Sequence, residues 1–224
     1  IHGRLEQRFA RFKHADAALL MPTGYTANLA VLGALAGPED LIVMDKLNHA
    51  SLIDAARSSG ATVRVYPHRN EQKLRRLLER AGSVRRKLIV TDSIFSMDGD
   101  CADLPVLCEL RDEHDAILVV DEAHATGLLG LSGSGLAEHQ GVAGAIDVTV
   151  STASKALGGL GGLVSGPEPL IQTLINEARP FIYSTGVPPT QVAAIEAALD
   201  LIETQPQRRQ RLVDLSADLR DRLI

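Results

Sequence analysis

The sequence predicts a three-layer α/β fold: a mostly parallel sheet flanked by helices on both faces, with one antiparallel strand expected. Two patterns carry the prediction. Apolar runs of strand length alternate with helix-length segments from about residue 41 to residue 152, the signature of βαβ units and a parallel sheet. Several of those runs end in carboxylates, hydroxyls or a lysine, and parallel sheets bind ligands off the carboxyl ends of their strands. The material suffices: of 224 residues, 45% are hydrophobic and 23% charged, ordinary for a globular chain with a substantial core.

In order, Leu5, Phe9 and Phe12 recur at helical spacing, so residues 2–13 read as an amphipathic helix. Ala17 to Leu20 is a short apolar run. Met21-Pro22-Thr23-Gly24 then turns the chain into an Ala- and Leu-rich helix reaching about Ala36. Strands are expected at Leu41–Asp45, Thr62–Tyr66, Lys87–Asp92, Ile117–Asp121 and Asp147–Thr152. Between them fall helices at His49–Ser58, Glu71–Arg80 and Leu104–Glu113, the last opened by Asp103 as N-cap with Pro105 just inside. Gly162–Gly166 reads as one more strand. Helices near Glu168–Glu177, Thr190–Thr204 and Arg208–Leu223 complete the chain. Gln205-Pro206 is the best hinge. Residues 1–205 are expected to form one large domain, and 206–224 the start of a linker helix to a further domain.

Composition excludes several functions. A net charge of −5 argues against a nucleic-acid surface or an anionic membrane. No apolar run reaches the roughly 20 residues of a membrane span. Cys101 and Cys108 fit neither a CxxC motif nor a disulfide framework, so a reducing, cytoplasmic compartment is the expectation. No signal peptide is visible. The chain begins with Ile1 inside a helical pattern, as a piece of a longer protein would.

Chemistry gathers at strand ends. Ser151-Thr152-Ala153-Ser154-Lys155 follows the apolar run Ile146–Val150, and four glycines come within the next few residues. A lysine half-desolvated there is readily neutral and nucleophilic toward a carbonyl; the ordinary alternative is a solvated lysine. Asp121-Glu122-Ala123-His124 follows the most apolar strand. A buried carboxylate there needs hydrogen bonds or a cation, such as a protonated pyridine nitrogen, with His124 reaching the ring's other edge. A helix N-cap or a metal ligand are the alternatives, but one histidine and two carboxylates do not make a zinc set, and no metal is expected. His49 opens a helix and could stack on an aromatic cofactor, or stand beside a capping Asn48. Thr91-Asp92-Ser93-Ile94-Phe95-Ser96-Met97-Asp98-Gly99-Asp100 is rich in hydroxyls and carboxylates but lacks the calcium-loop pattern. Gly24 at a helix start suits a phosphate, or is a plain turn. Ser184 and Thr185 lie in a stretch that also reads as a simple loop. His114 reads as a solvated loop residue, and His68 receives no role.

Taken together, TGYTAN, LNHAS, TDSIFSMDGD, DEAHATG, STASKALGGLGG and ARPFIYSTGVPP resemble the α-oxoamine synthases, pyridoxal-phosphate (PLP) enzymes of aminotransferase fold type I. The motifs occur in that family's order across the whole chain. The resemblance implies that Lys155 holds the cofactor covalently and that Asp121 pairs with its ring nitrogen. It implies that His124 and Ser96 flank its phenolic oxygen and that His49 stacks on the ring against substrate. The Gly24 and Tyr25 amides and the Thr152 hydroxyl would cradle its phosphate. Ser184 and Thr185 would reach the phosphate of a second protomer, so a homodimer is implied. The FIYST and TDSIFSMDGD wording points to the member that condenses L-alanine with pimeloyl-CoA, or pimeloyl on acyl carrier protein, releasing CO2. Glycine acetylation, aminolevulinate synthesis, serine palmitoylation and a non-catalytic partner subunit are the competing readings.

Overall fold

A computed structural model describes residues 1–223. Seven strands form one sheet in the order β1-β7-β6-β5-β4-β2-β3: β1 (Ala17–Met21), β2 (Leu41–Asp45), β3 (Thr62–Tyr66), β4 (Lys87–Asp92), β5 (Ile117–Asp121), β6 (Val148–Thr152) and β7 (Gly162–Gly166). Only β7 runs against its neighbours, pairing antiparallel with both β1 and β6. The predicted mixed sheet is therefore present, and the antiparallel strand is β7.

Alternation along each strand sends side chains to opposite faces. Ile42 and Met44 of β2 join one core with Leu88, Val90 and Val119, covered by α2 (Gly24–Leu35), α3 (Ala50–Ser58) and α7 (Glu168–Glu177). Leu41 and Val43 face the other side with Ile89, Leu118 and Val120, under α4 (Glu71–Glu79) and α5 (Leu104–Glu113). At the β1 end of that side, α1 (His2–Phe12) and α9 (Pro189–Thr204) close a third cluster around Leu5, Phe9, Leu163 and Ile195. Phe9 is wholly buried; a side chain of that kind contributes about 1.5–3 kcal/mol.

The helix α2 is apolar nearly all round and lies between the sheet and α3, which explains its weak amphipathic pattern. Two short helices were not expected, α6 (Leu136–His139) and α8 (Arg179–Ile182). Each is a single turn, too short to show a period. The last helix, α10 (Gln207–Leu223), follows Pro206 and buries none of its residues. His114 is not a solvated loop residue: it caps α5, half-buried, and its carbonyl accepts from Lys87 Nζ at 2.8 Å. No described helix is long and apolar enough to cross a membrane.

Candidate active site

The carboxyl ends of the central strands open into a pocket of about 280 Å³. Lys155, Asp121, His124, His49, Thr152, Gly24 and Tyr25 all line it, together with Asn28, Ser51 and Asp92. Seven of the residues singled out from the sequence thus converge on one cavity.

Each is placed by a strand end. Asp121 closes β5 and is buried. Its Oδ1 accepts from the Ala123 N–H at 2.8 Å, and its Oδ2 from Asn28 Nδ2 at 2.7 Å. These bonds fix the carboxylate and supply the partners that a buried charge needs. Asn28 also donates to Ser51 Oγ at 2.8 Å, and Ser51 Oγ lies 2.7 Å from His49 Nδ1. A polar chain therefore links Asp121 on β5, through α2, to His49 at the start of α3. The sequence showed Asn28 only as the last letter of TGYTAN; a polar residue on an otherwise apolar buried helix was the available signal.

His49 is itself the N-cap of α3, its Nδ1 accepting from the Ser51 N–H at 3.2 Å. Asn48 is not the cap. Its amide nitrogen donates to Val90 O at 2.8 Å, tying the loop to β4. The His49 N–H donates to Asp92 Oδ2 at 2.7 Å. Asp92 stands beside Asp121 in the β4–β5 register. Burial, then the neighbouring Asp121 charge, push its carboxyl up to about 8.

Lys155 follows β6, is exposed to the pocket, and brings Nζ to 2.9 Å from His124 Nε2. Two nitrogens at that distance need one donor and one acceptor, so at least one group is uncharged. Partial burial lowers the Lys155 pKa against the pull of Asp121 and Asp92. His124 is lowered too, by burial and then by the Lys155 charge. The pair favours a neutral imidazole and an amine that gives up its proton easily.

The start of α2 forms another wall. Thr23 accepts from the Thr26 N–H at 3.0 Å, and the Thr26 hydroxyl accepts from the Thr23 N–H in return, a closed capping box. That leaves the Gly24 and Tyr25 N–H groups as first-turn donors without intrahelical acceptors. A Cβ on Gly24 would stand 3.2 Å from the Thr152 side chain. A Cβ on Gly162 would lie 2.3 Å from Thr23 O and 2.8 Å from Gly24 N. These glycines let β6 and β7 close on the helix start.

Three expected residues do not line the pocket. Ser96 sits on the exposed turn between Phe95 and Gly99. Ser184 and Thr185 lie on the exposed segment after α8. Sequence reasoning also missed a buried pair beneath the site. Lys13 Nζ donates to Glu122 Oε2 at 2.6 Å and to Thr126 Oγ1 at 2.9 Å, and also to Ser134 O. Both side chains of the pair are only 2% exposed. No cluster of metal-ligating side chains occurs among the described residues.

With this geometry in place, similarity decides the family. The aminotransferase class I and II family matches residues 1–224. The chain belongs to that family. An 8-amino-7-oxononanoate synthase of Symbiobacterium thermophilum is 44% identical over 224 residues, 100% of this chain and 57% of the relative. One from Anaeromyxobacter sp. (strain K) is 50% identical over 216 residues, 96% of this chain and 54% of the relative. The chain thus spans little more than half the length of these relatives. Among solved structures, a Sphingomonas wittichii serine palmitoyltransferase superposes with a TM-score of 0.91 at 31% identity, over 95% of this chain and 53% of the other. An 8-amino-7-oxononanoate synthase from Francisella tularensis superposes with a TM-score of 0.83 at 31% identity, over 94% of this chain and 61% of the other.

Proposed function

We propose that residues 1–205 are the cofactor-binding domain, and residue 206 onward the start of a linker, of a PLP-dependent acyltransferase that condenses L-alanine with a pimeloyl thioester. The products are 8-amino-7-oxononanoate, CO2 and the free thiol of CoA or acyl carrier protein. The observation that carries this reading is the convergence of Lys155, His124, Asp121 and His49 on one pocket, in a chain 44–50% identical to proteins named for that activity.

The residues present fit the cofactor. The Gly24 and Tyr25 N–H groups and the Thr152 hydroxyl offer a phosphate site at a helix start. Asp121, already fixed by two hydrogen bonds, offers a carboxylate to a cationic ring nitrogen. His49 lines the pocket and would offer its flat ring to the cofactor. Ser96 would come to the phenolic oxygen beside His124. Ser184 and Thr185 would serve the phosphate of a second copy, in a homodimer that uses both pockets.

Pyridoxal phosphate, when bound, supplies an aldehyde that captures amines and a ring that withdraws electrons from the substrate's α-carbon. Lys155 would be the amine that holds the cofactor's aldehyde, and its Nζ, biased toward its neutral form, would be the base for the alanine α-proton. His124, 2.9 Å from that nitrogen, orients the lysine and holds a proton near it. Asp121 would hold the ring nitrogen protonated, the state in which the ring draws electrons most strongly.

The test uses the full-length protein with PLP, following its visible absorption on addition of L-alanine, glycine or L-serine in parallel. A change with L-alanine alone supports the reading. A change with L-serine alone would move the chain to the second reading, serine palmitoylation, which the 0.91 TM-score of a serine palmitoyltransferase favours. Absence of any bound-cofactor absorption would leave a non-catalytic partner subunit.

A further inference from the structure

His68, just after β3, belongs to none of the motifs that line the pocket. Its ring is held from two sides. Nδ1 lies 3.0 Å from Asp45 Oδ1 at the end of β2, and Nε2 lies 2.9 Å from Asp100 Oδ2 in the loop after β4. The ring packs in a T-shaped contact with Phe95, with centroids 4.4 Å apart and planes at 84°. A neutral imidazole has one donor and one acceptor nitrogen. A ring facing carboxylate oxygens with both nitrogens donates from both, and so carries a positive charge.

The two carboxylates lead into the two loops that matter. Asp45 Oδ1 also accepts from the Leu47 N–H at 2.8 Å, two residues before His49. Its Oδ2 accepts from the Arg69 N–H at 2.9 Å, which holds Arg69 at a left-handed φ of 52°. The other loop is a closed turn: the Phe95 N–H donates to Asp100 O at 3.0 Å, and the Gly99 N–H to Phe95 O at 2.8 Å. Ser96 rides on that turn. Arg69 Nη1 adds a second contact to Asp100 Oδ2 at 3.2 Å.

We propose that His68 is a positioning residue: as a cation clasped between Asp45 and Asp100, it locks the loop carrying His49 to the turn carrying Ser96. The part of this that concerns cofactor placement rests on the functional reading above. The charged groups around the ring are Asp45 from β2, Asp100 from the turn and Arg69 from its own loop; Cys101 feels the Asp100 and Arg69 charges, and the Tyr66 phenol that of Asp45. Burial opposes the charge on His68, but the hydrogen bonds to Asp45 and Asp100 outweigh it, and the pKa is raised. The sign follows: the clasp is complete below the ordinary histidine pKa of about 6.5 and is lost as pH rises through the raised value.

The experiment compares full-length wild type with His68→Gln and Asp100→Asn in two measurements. In the first, thermal unfolding of the cofactor-free proteins is followed from pH 5 to pH 9. Wild type should be more stable than both variants at low pH, and the gap should close as pH rises. A gap independent of pH, or no gap, would overturn the charged clasp. In the second, PLP affinity is measured at pH 6.5, where His68→Gln should bind about tenfold more weakly, while wild type loses that advantage by pH 9. Unchanged affinity beside a pH-dependent stability gap would overturn the positioning role and leave a purely structural clasp. Wild type that binds no PLP would overturn the functional reading and the positioning role together, while the stability measurement still decides the clasp.

Discussion

Asp92 and Asp121 are register partners on adjacent parallel strands, and both carboxyl groups line the same pocket. Two buried like charges side by side are unfavourable, and the site resolves the conflict unevenly. Asp121 has two hydrogen-bond donors from its surroundings, Asn28 and Ala123. Asp92 has one, the His49 N–H, and its carboxyl is pushed up to about 8 by burial and then by the Asp121 charge.

This makes Asp92 a measurable drain on stability. Its pKa is raised in the folded state, so the folded protein binds a proton more tightly than the unfolded chain. Stability from that proton is fully present below about pH 4 and is lost as pH rises through about 8. In Asp92→Asn the amide oxygen still accepts from His49, but nothing titrates. Thermal melts of the cofactor-free full-length protein from pH 4 to pH 9 should show the variant gaining on wild type as pH rises. Parallel profiles would mean that Asp92 ionises normally.

Lys155→Ala should leave folding intact, since the side chain is exposed to the pocket and its one polar contact is to His124. Activity should fall by about 10²–10⁴-fold from the lost proton transfer alone, and further from the lost covalent attachment. Steady-state assays with L-alanine and a pimeloyl thioester provide the check. Retained turnover would dismiss the lysine from the mechanism.

Asp121→Asn places an amide nitrogen or oxygen opposite Asn28 Nδ2. Asn28 can turn its amide to present Oδ1, which has no hydrogen-bond partner now, at the expense of its donation to Ser51 Oγ. The stability cost should therefore be about 1 kcal/mol, while activity collapses because an amide cannot hold a ring nitrogen protonated. Urea unfolding and turnover, measured on the same variant, separate the two effects. A large loss of stability would mean that Asp121 is chiefly structural.

The buried Lys13–Glu122 pair predicts the opposite pattern. Lys13→Ala leaves Glu122 an uncompensated buried charge, which should cost about 3–5 kcal/mol without touching the pocket. Urea unfolding would register it. A cost below 1 kcal/mol would show that water reaches the pair.

Gly162→Ala would force a methyl against Thr23 O and Gly24 N. Overpacking of this kind costs about 1–3 kcal/mol, and here the strain falls on the helix start offered to phosphate. PLP affinity, titrated on the variant, should drop about tenfold. Unchanged affinity beside a loss of stability in urea would locate the damage elsewhere.

The sheet was legible because its strands are short, apolar and bounded by polar ends; β2, β3, β4, β5 and β7 begin and end where the pattern puts them. The strand-end residues were legible for the same reason, since Lys155, Asp121, His124 and Thr152 follow the apolar runs that place them in the pocket. Asn28, Ser51 and Asp92 were hidden in motifs whose other letters drew attention, and their importance comes from contacts between elements far apart in sequence. Lys13 reads as an ordinary cation at a helix end; only the approach of Glu122 makes it a buried ion. His68 shows the same limit. One-turn α6 and α8 carry no periodicity to read. Ser96, Ser184 and Thr185 face solvent in the single chain, where residue type alone cannot say what would approach them.

The antiparallel β7 sits between β1 and β6, so the sheet's edge near the start of the chain joins the rest only through a strand made much later. The turn at Thr23–Gly24 therefore lacks the β7 part of its wall until Gly162 emerges from the ribosome. Long-range closures of this type are slow, and intermediates with unpaired strand edges aggregate. A nascent chain stalled before β7 would expose β1 and the apolar face of α2. Assembly of the ligand-binding end is thus a late event in the life of each molecule, and a stage at which a chaperone would have something to hold.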